Sequence, residues 1–112
     1  MKQAIVTGGR DYDDWDTIQE VLNFHQPDVV IQGGASGADK LAKYWAELNQ
    51  KGFITVIADW QKHGRAAGPI RNRLMLENYP HAFVIAFPGG RGTADCVRTA
   101  NELNRIVFQV HK

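Results

Sequence analysis

The feature that most constrains the fold of this chain is a regular alternation of short apolar runs with amphipathic stretches. The apolar runs cover residues 4–6, 28–32, 53–57, 82–87 and 106–110. They are apolar almost throughout rather than at every second position, which is typical of parallel strands buried on both faces of a sheet. The pattern predicts one α/β domain over residues 1–112, a Rossmann-like, doubly wound sheet of about five parallel strands in the order 3-2-1-4-5 with helices on both faces.

Local signals predict where the helices begin. An aspartate at position 13 or 14 is expected to cap the first helix. Ser36 and Asp39 resemble a capping box at the start of the second helix, and Thr93 is expected to cap the fourth. Residues 59–68 are predicted to form a polar loop, and Pro69 suits the first turn of the third helix.

Composition and charge narrow the classes of function. The formal net charge is +1, so the chain lacks the basic field that nucleic acids and anionic membranes attract. One cysteine, Cys96, excludes an internal disulfide and a cysteine-based zinc site, and the histidines show no metal-ligand spacing. There is no signal-peptide pattern and no run long enough to span a bilayer. We therefore expect a cytoplasmic protein that uses no metal and no cofactor.

Glycine-rich segments follow three of the predicted strands. They are Gly8-Gly9-Arg10-Asp11, Gly33-Gly34-Ala35-Ser36-Gly37 and Pro88-Gly89-Gly90-Arg91-Gly92-Thr93. These segments hold eight of the 11 glycines, and all three should lie at the carboxyl edge of the sheet, where ligands bind in such folds. Glycine lets a backbone approach a ligand closely, and a helix start favours an anion. The alternative is that they are three tight turns, with their arginines in solvent.

Further candidates lie between the third strand and the third helix. Trp60 stands in a polar segment, and two interpretations stay open: stacking on a base, or packing against the core. Arg71 and Asn72 are expected in the first turn of the third helix, beside its free N–H groups, with Arg73 a weaker candidate. Cys96, near the start of the fourth helix, is expected to be a small buried residue rather than a reactive thiol.

Two common nucleotide motifs are absent. The Walker pattern GxxxxGK[ST] does not occur, because Lys40 follows Asp39 rather than a glycine. The dinucleotide pattern GxGxxG fails as well, since Gly92 is followed by no further glycine at the required spacing. The sequence therefore favours neither a P-loop ATPase nor a standard NAD enzyme.

With these segments the chain resembles the SLOG superfamily and, within it, the small single-domain YspA-like branch found in bacteria and phages. The resemblance covers nearly the whole chain. It rests on four ordered motifs, at residues 8–11, 33–39, 59–60 with 68–73, and 88–95. The resemblance implies a Rossmann-like fold that binds nucleotides or nucleotide-derived ligands. Related proteins include the LOG-type phosphoribohydrolases, the lysine-decarboxylase-like Rossmann proteins and a DNA-processing protein.

The chain departs from the LOG enzymes at one position. Those enzymes carry PGGxGTxxE, and the glutamate acts at the N-glycosidic bond. Here Cys96 stands at the glutamate position, and Asp95 is one residue early, which turns it by about 100° around a helix. Cleavage of that bond needs a carboxylate to stabilise positive charge or activate water. Asp95 and Asp11 are the candidates for that role, and Asp39 is a third.

Three functions are consistent with these residues. The first is a receptor or sensor for a nucleotide-derived small molecule, and the second is a LOG-like hydrolase that splits the N-glycosidic bond of a nucleotide. The third is a DNA-binding protein, which the near-neutral charge disfavours. The predicted ligand contacts are Gly8, Gly9, Arg10, Gly33, Gly34, Ser36, Asp39, Trp60, Arg71, Asn72, Pro88, Gly89, Gly90, Arg91, Gly92 and Thr93.

Aromatic residues on the predicted helix faces favour a homodimer. They are Trp15, Tyr44, Trp45 and Tyr79, more aromatic surface than one small sheet needs. The resemblance to LOG enzymes implies a dimer as well. No membrane partner is expected.

Overall fold

Each predicted apolar run forms one strand of a single parallel sheet in the computed structural model, which describes every residue from Met1 to Lys112. The strands are β1 (Gln3–Thr7), β2 (Val29–Gln32), β3 (Gly52–Thr55), β4 (Phe83–Ala86) and β5 (Val107–Gln109). Their order is β3-β2-β1-β4-β5, and all four pairings are parallel. The predicted fold class and strand order are therefore confirmed.

Helices occupy every connection between the strands. They are α1 (Trp15–His25), α2 (Ala38–Leu48), α3 (Trp60–His63), α4 (Ala67–Asn78) and α5 (Arg91–Glu102), with a 3₁₀ turn at Gly64–Ala66 between α3 and α4. None of these helices combines the length and the apolar character needed to cross a membrane.

The core has two parts because the sheet is covered on both faces. Side chains of β1 alternate between them: Ala4 and Val6 face one cluster with α1 and α2, and Ile5 faces the other with α4 and α5. Trp45 on α2 is fully buried in the first cluster, where its Nε1 donates to Asn23 Oδ1 at 2.9 Å. Trp45 is therefore part of the core and offers no surface to a partner.

The helix starts confirm one predicted cap and contradict the others. Asp14 caps α1, because its carboxylate accepts the N–H of Thr17 at 3.1 Å. The predicted capping box is wrong: Gly37 is the N-cap of α2, and Ser36 Oγ donates instead to the carbonyl of Arg10. Thr93 is not the cap of α5, because that helix already begins at Arg91. No side chain caps α2 or α5, so both helix starts keep open N–H groups.

The predicted polar loop at residues 59–68 is mostly helical. Asp59 caps α3 by accepting the N–H of Lys62 at 3.0 Å, and the 3₁₀ turn then leads directly into α4. Because α4 begins at Ala67, Arg71 and Asn72 lie in its second turn rather than in its first, where both were predicted. Residues 59–68 therefore form mainly helical structure beside the carboxyl edge of the sheet.

Candidate functional site

A cleft of about 830 Å³ opens at the carboxyl edge of the sheet. Its walls come from the segments after β1 and β4, the start of α2, and the region from α3 to α4. The volume lies within the range of about 300–1,000 Å³ that is typical of small-molecule sites. The cleft sits at the switch point of the strand order, where β1 separates β2 from β4.

Most of the residues predicted from sequence line this cleft. They are Gly8, Gly9, Arg10, Asp11, Asp39, Trp60, Arg71, Asn72, Pro88, Gly89, Gly90, Arg91, Gly92, Thr93 and Asp95. Three predicted contacts, Gly33, Gly34 and Ser36, lie outside it. Six further residues line the cleft that were not among the predicted contacts: Thr7, Tyr12, Ala35, Arg65, Gly68 and Pro69. Arg65 could have been predicted as a contact, because it lies in the polar segment between Trp60 and Arg71, two predicted contacts.

Some of the glycines allow the segments after β1, β2 and β4 to pack closely against one another. The N–H of Gly9 donates to the carbonyl of Pro88 at 2.8 Å, and the N–H of Ala38 donates to the carbonyl of Gly9 at 3.1 Å. Gly37 has φ +76°, and a Cβ there would collide with the carbonyl oxygen of Gly9. A Cβ at Gly89 would collide with Thr93 Oγ1. The tight-turn interpretation therefore accounts for these glycines.

Two other glycines have no such structural role. A Cβ at Gly90 or at Gly92 would meet no atom within 4 Å, so both face open space. The first backbone hydrogen bond of α5 runs from Ala94 to the carbonyl of Gly90, and the N–H groups from Gly90 to Thr93 have no acceptor within the protein. Free N–H groups at a helix start carry partial positive charge, so this end of the cleft favours an anion.

Three arginines without a carboxylate partner line the same cleft as these free amides. Arg10, Arg65 and Arg91 line the cleft and are exposed, and their guanidinium groups make no ion pair and no hydrogen bond within the protein. By contrast, Arg73 and Arg98 are paired with glutamates or an aspartate outside or at the margin of the cleft. Unpaired guanidinium groups beside free amides form a set of donors suited to phosphate or carboxylate.

Trp60 forms a wall of the cleft rather than part of the core. Its ring is about half exposed, and its edge lies against Gly68. The guanidinium carbon of Arg10 is 6.0 Å from the ring centroid of Trp60, a distance at the outer limit of a cation–π contact. Trp60 is thus a partly exposed aromatic residue in the lining of the cleft.

Arg71 and Asn72 line the cleft, and their side chains donate hydrogen bonds to neighbouring segments of the protein. Arg71 Nη1 donates to the carbonyl of Gly33 at 2.9 Å, and a Cβ at Gly33 would collide with that guanidinium. The buried amide of Asn72 donates to the carbonyl of Gly92 at 3.2 Å and to Asp95 Oδ2 at 3.0 Å. These donors already have partners in the protein, so their main effect is to fix the segments after β2 and β4.

Asp39 is the one buried carboxylate of the cleft, with 6% of its surface exposed. Its Oδ2 accepts the N–H groups of Gly33 at 3.1 Å and Ala35 at 3.3 Å. Burial raises the pKa of Asp39, and the two amides and Arg71 oppose that rise. Its Oδ1 has no partner, yet no fully buried side-chain oxygen or nitrogen in the protein lacks one, so Oδ1 is accessible. Because Asp39 lines the cleft, that oxygen is reached from there.

The carboxylates proposed for chemistry differ in their surroundings. Asp95 lines the cleft, but its Oδ1 is 2.5 Å from Arg98 and its Oδ2 accepts from Asn72. Asp11 is exposed at the mouth of the cleft. No group of three or more His, Cys, Asp or Glu side chains is arranged to hold a metal ion.

Cys96 points away from the cleft into the second core cluster, which confirms the expectation of a small buried residue. Burial, and secondarily the negative charge of Asp95, raise the pKa of the Cys96 thiol from 9.0 to about 11.

This environment leads to a testable expectation for thiol reactivity. At pH 8 the thiolate fraction of Cys96 should be about a hundredfold below that of a free cysteine, and the sulfur is also inaccessible. We expect negligible labelling by a chromogenic disulfide reagent in native protein and one thiol per chain in denaturant. Rapid labelling of the native protein would contradict this placement.

The fold and the cleft together define a doubly wound α/β protein with a glycine-loop site at its switch point. The chain belongs to the YAcAr family, described as the YspA, cpYpsA-related SLOG family, whose model matches residues 3–63. It is also 37% identical over 114 residues to the Gene 61 protein of Mycobacterium phage D29, which covers 91% of this chain and 90% of that protein. The predicted membership of the SLOG superfamily is therefore confirmed. The matched residues include the motifs after β1 and β2.

Proposed function

We propose that the cleft binds a nucleotide or nucleotide-derived ligand. The observation that carries the proposal is the coincidence of free amides at the start of α5 with three arginines that have no partner in the protein. A phosphate at this point would accept from the N–H groups of Gly90 to Thr93 and from Arg10 or Arg91. Membership of the SLOG family is consistent with a nucleotide-related function.

The rest of the cleft suits the other parts of a nucleotide. Trp60 offers a half-exposed ring on which a base can stack, next to Arg10. Asp39 is a largely buried residue, and its carboxylate oxygen Oδ1, accessible from the cleft, is free to accept from a ribose hydroxyl. A buried acceptor discriminates strongly against a ligand that lacks the matching donor, because the group is then left without a partner.

Asp39→Asn tests the ribose contact without removing the acceptor for Gly33 and Ala35. Because burial raises the pKa of Asp39, the ionised carboxylate is less favourable in the folded chain than in the unfolded one. The stability linked to this shift is present below pH of about 4 and is lost as pH rises through the folded pKa. We therefore expect Asp39→Asn to be no less stable than the wild type at pH 7. Its affinity for a ribonucleotide should fall by about tenfold while its affinity for the 2′,3′-dideoxy analogue stays unchanged. Equal losses for both ligands would contradict the contact.

A thermal-shift screen tests the proposed function itself. The panel would contain AMP, ADP, ADP-ribose, NAD, cyclic nucleotides and ribose 5-phosphate, and each active compound would be checked for breakdown by chromatography. A ligand at about 100 times its dissociation constant stabilises by about 2.7 kcal/mol, which raises the Tm by about 10 °C for a domain of this size. Absence of any shift with every compound that carries phosphate would contradict the proposal.

Hydrolysis of the bound nucleotide is a second candidate function. It is favoured by the position of Asp95, which lies on the cleft side of α5 while Cys96 faces the core. Asp95 or Asp11 would then act as general base or stabilise positive charge on the ribose. Release of base or sugar by the wild type, lost in Asp95→Asn with binding retained, would support this candidate. If the bound ligand is still intact after prolonged incubation, hydrolysis is excluded and only the receptor function remains.

A further inference from the structure

A second open groove lies on the other side of the segment after β4. Its volume is about 890 Å³, and it runs between α5 and the residues that follow β4 and β5. Four residues border both the groove and the cleft: Pro88, Gly89, Gly90 and Thr93. These four residues, here called the ridge, are the only structure shared by the two spaces. Two of them, Gly89 and Gly90, have no side chain, so backbone forms much of the ridge.

The lining of the groove combines apolar surface with polar side chains, as the lining of a small-molecule subsite does. Phe87 is buried at its floor, and Val97 and Val110 add apolar surface. Asn101 and Gln109 border it, and their side chains make no hydrogen bond within the protein. Apolar surface with a few unused hydrogen-bonding groups is typical of sites for a sugar or a base.

We propose that the groove is a second subsite, so that the preferred ligand is a nucleotide whose phosphate carries another polar group, as in a dinucleotide or a nucleotide sugar. The inference rests on the proposed function, because the phosphates would cross the ridge at the free amides of Gly90 and Thr93. The nucleoside would occupy the cleft beside Trp60, and the second group would occupy the groove beside Asn101. Each space is large enough for one such group, and two residues with free amides, Gly90 and Thr93, border both spaces.

The test compares ligands that differ only in the second group. Calorimetry would measure ADP against ADP-ribose and UDP against UDP-glucose on the wild type, on Ala94→Tyr and on Glu47→Tyr. Ala94 is exposed on α5 and borders the groove but not the cleft, so tyrosine there fills the groove. Glu47 is exposed on α2 and borders neither space, which makes Glu47→Tyr the matched control.

We expect the extended ligand of at least one pair to bind the wild type about tenfold more tightly than its diphosphate, equal to about 1.4 kcal/mol. Ala94→Tyr should abolish that preference and change the affinity for the diphosphate by less than about twofold, and Glu47→Tyr should change neither. Asn101→Ala provides a second variant that leaves the helix surface open, and it should reduce the preference by about threefold.

Three results would overturn the inference. Equal affinities within both pairs would show that the groove is not a subsite. The proposed function would still stand, since the diphosphates bind. No binding of any of the four ligands would remove the proposed function and the groove together. An unchanged preference in Ala94→Tyr would contradict the second subsite, and a change in sedimentation of that variant would then identify the groove as an interface between copies of this chain.

Discussion

Gly37→Ala is expected to lower the free energy of unfolding by about 3 kcal/mol. Gly37 has φ +76° and ψ −129°, a conformation open essentially to glycine alone, and a Cβ there would strike the carbonyl of Gly9. That carbonyl accepts the N–H groups of Tyr12 and Ala38, so displacing it breaks the contact between the segments after β1 and β2. Urea denaturation at neutral pH measures the loss.

Gly92→Ala is the matched control for this expectation. Gly92 lies in the first turn of α5, where a Cβ would meet nothing within 4 Å. Alanine there restricts the unfolded chain and should raise the free energy of unfolding by about 0.5 kcal/mol. The added methyl would nevertheless border the cleft and hinder a ligand that approaches the backbone. A loss below about 1 kcal/mol in Gly37→Ala, or a comparable loss in both variants, would contradict the different roles given to the two glycines.

Replacing Arg10 and Arg91 together by alanine should weaken the binding of ADP by at least about a hundredfold. Hydrogen bonds to charged groups contribute about 1.5–3 kcal/mol each, and neither guanidinium group makes a hydrogen bond or an ion pair within the protein. For the same reason the fold should lose little stability, because no ion pair is broken. Calorimetric titration with ADP at low and at moderate salt measures the effect, which should shrink as salt screens exposed charges.

Arg73→Ala provides the control for charge alone. Arg73 is exposed on α4 and pairs with Glu77 and Glu102, both at 3.6 Å, outside the cleft. Its removal changes the net charge by one but should leave the affinity for ADP within about twofold. A similar loss of affinity in Arg73→Ala would mean that overall charge, rather than the cleft, attracts the nucleotide.

The fold could be predicted from sequence because its determinants are local. Apolar runs such as 28–32 and 82–87 have the length and continuity of strands buried on both faces, and helical spacing between them leaves few topologies. The helix starts were less predictable. Thr93 is a favourable cap by residue type, but α5 begins at Arg91, where free amides face the cleft instead of a side chain. Cap preferences describe helices whose own side chains satisfy their amides.

The edge of the sheet that holds the site could also be predicted, but the role of each residue could not. Arg71 and Gly33 are 38 positions apart, and their hydrogen bond requires α4 to lie over the segment after β2. That packing also explains why Gly33 lies outside the cleft: its lack of a side chain makes room for Arg71. Likewise, sequence indicated that Cys96 replaces a glutamate, but only the orientation of α5 shows Asp95 towards the cleft and Cys96 towards the core.

The most direct test of phosphate binding at the start of α5 is an amide chemical-shift titration of the ¹⁵N-labelled protein with ADP, with adenosine as the ligand that lacks phosphate. We expect ADP to shift the amide signals of Gly90, Arg91, Gly92 and Thr93 more than any others in the chain, because these N–H groups have no acceptor in the free protein. Adenosine should leave them nearly unmoved and affect mainly the indole signal of Trp60. If ADP moves none of these four amides, or if adenosine moves them equally, the start of α5 is not a phosphate site and the proposed function is wrong.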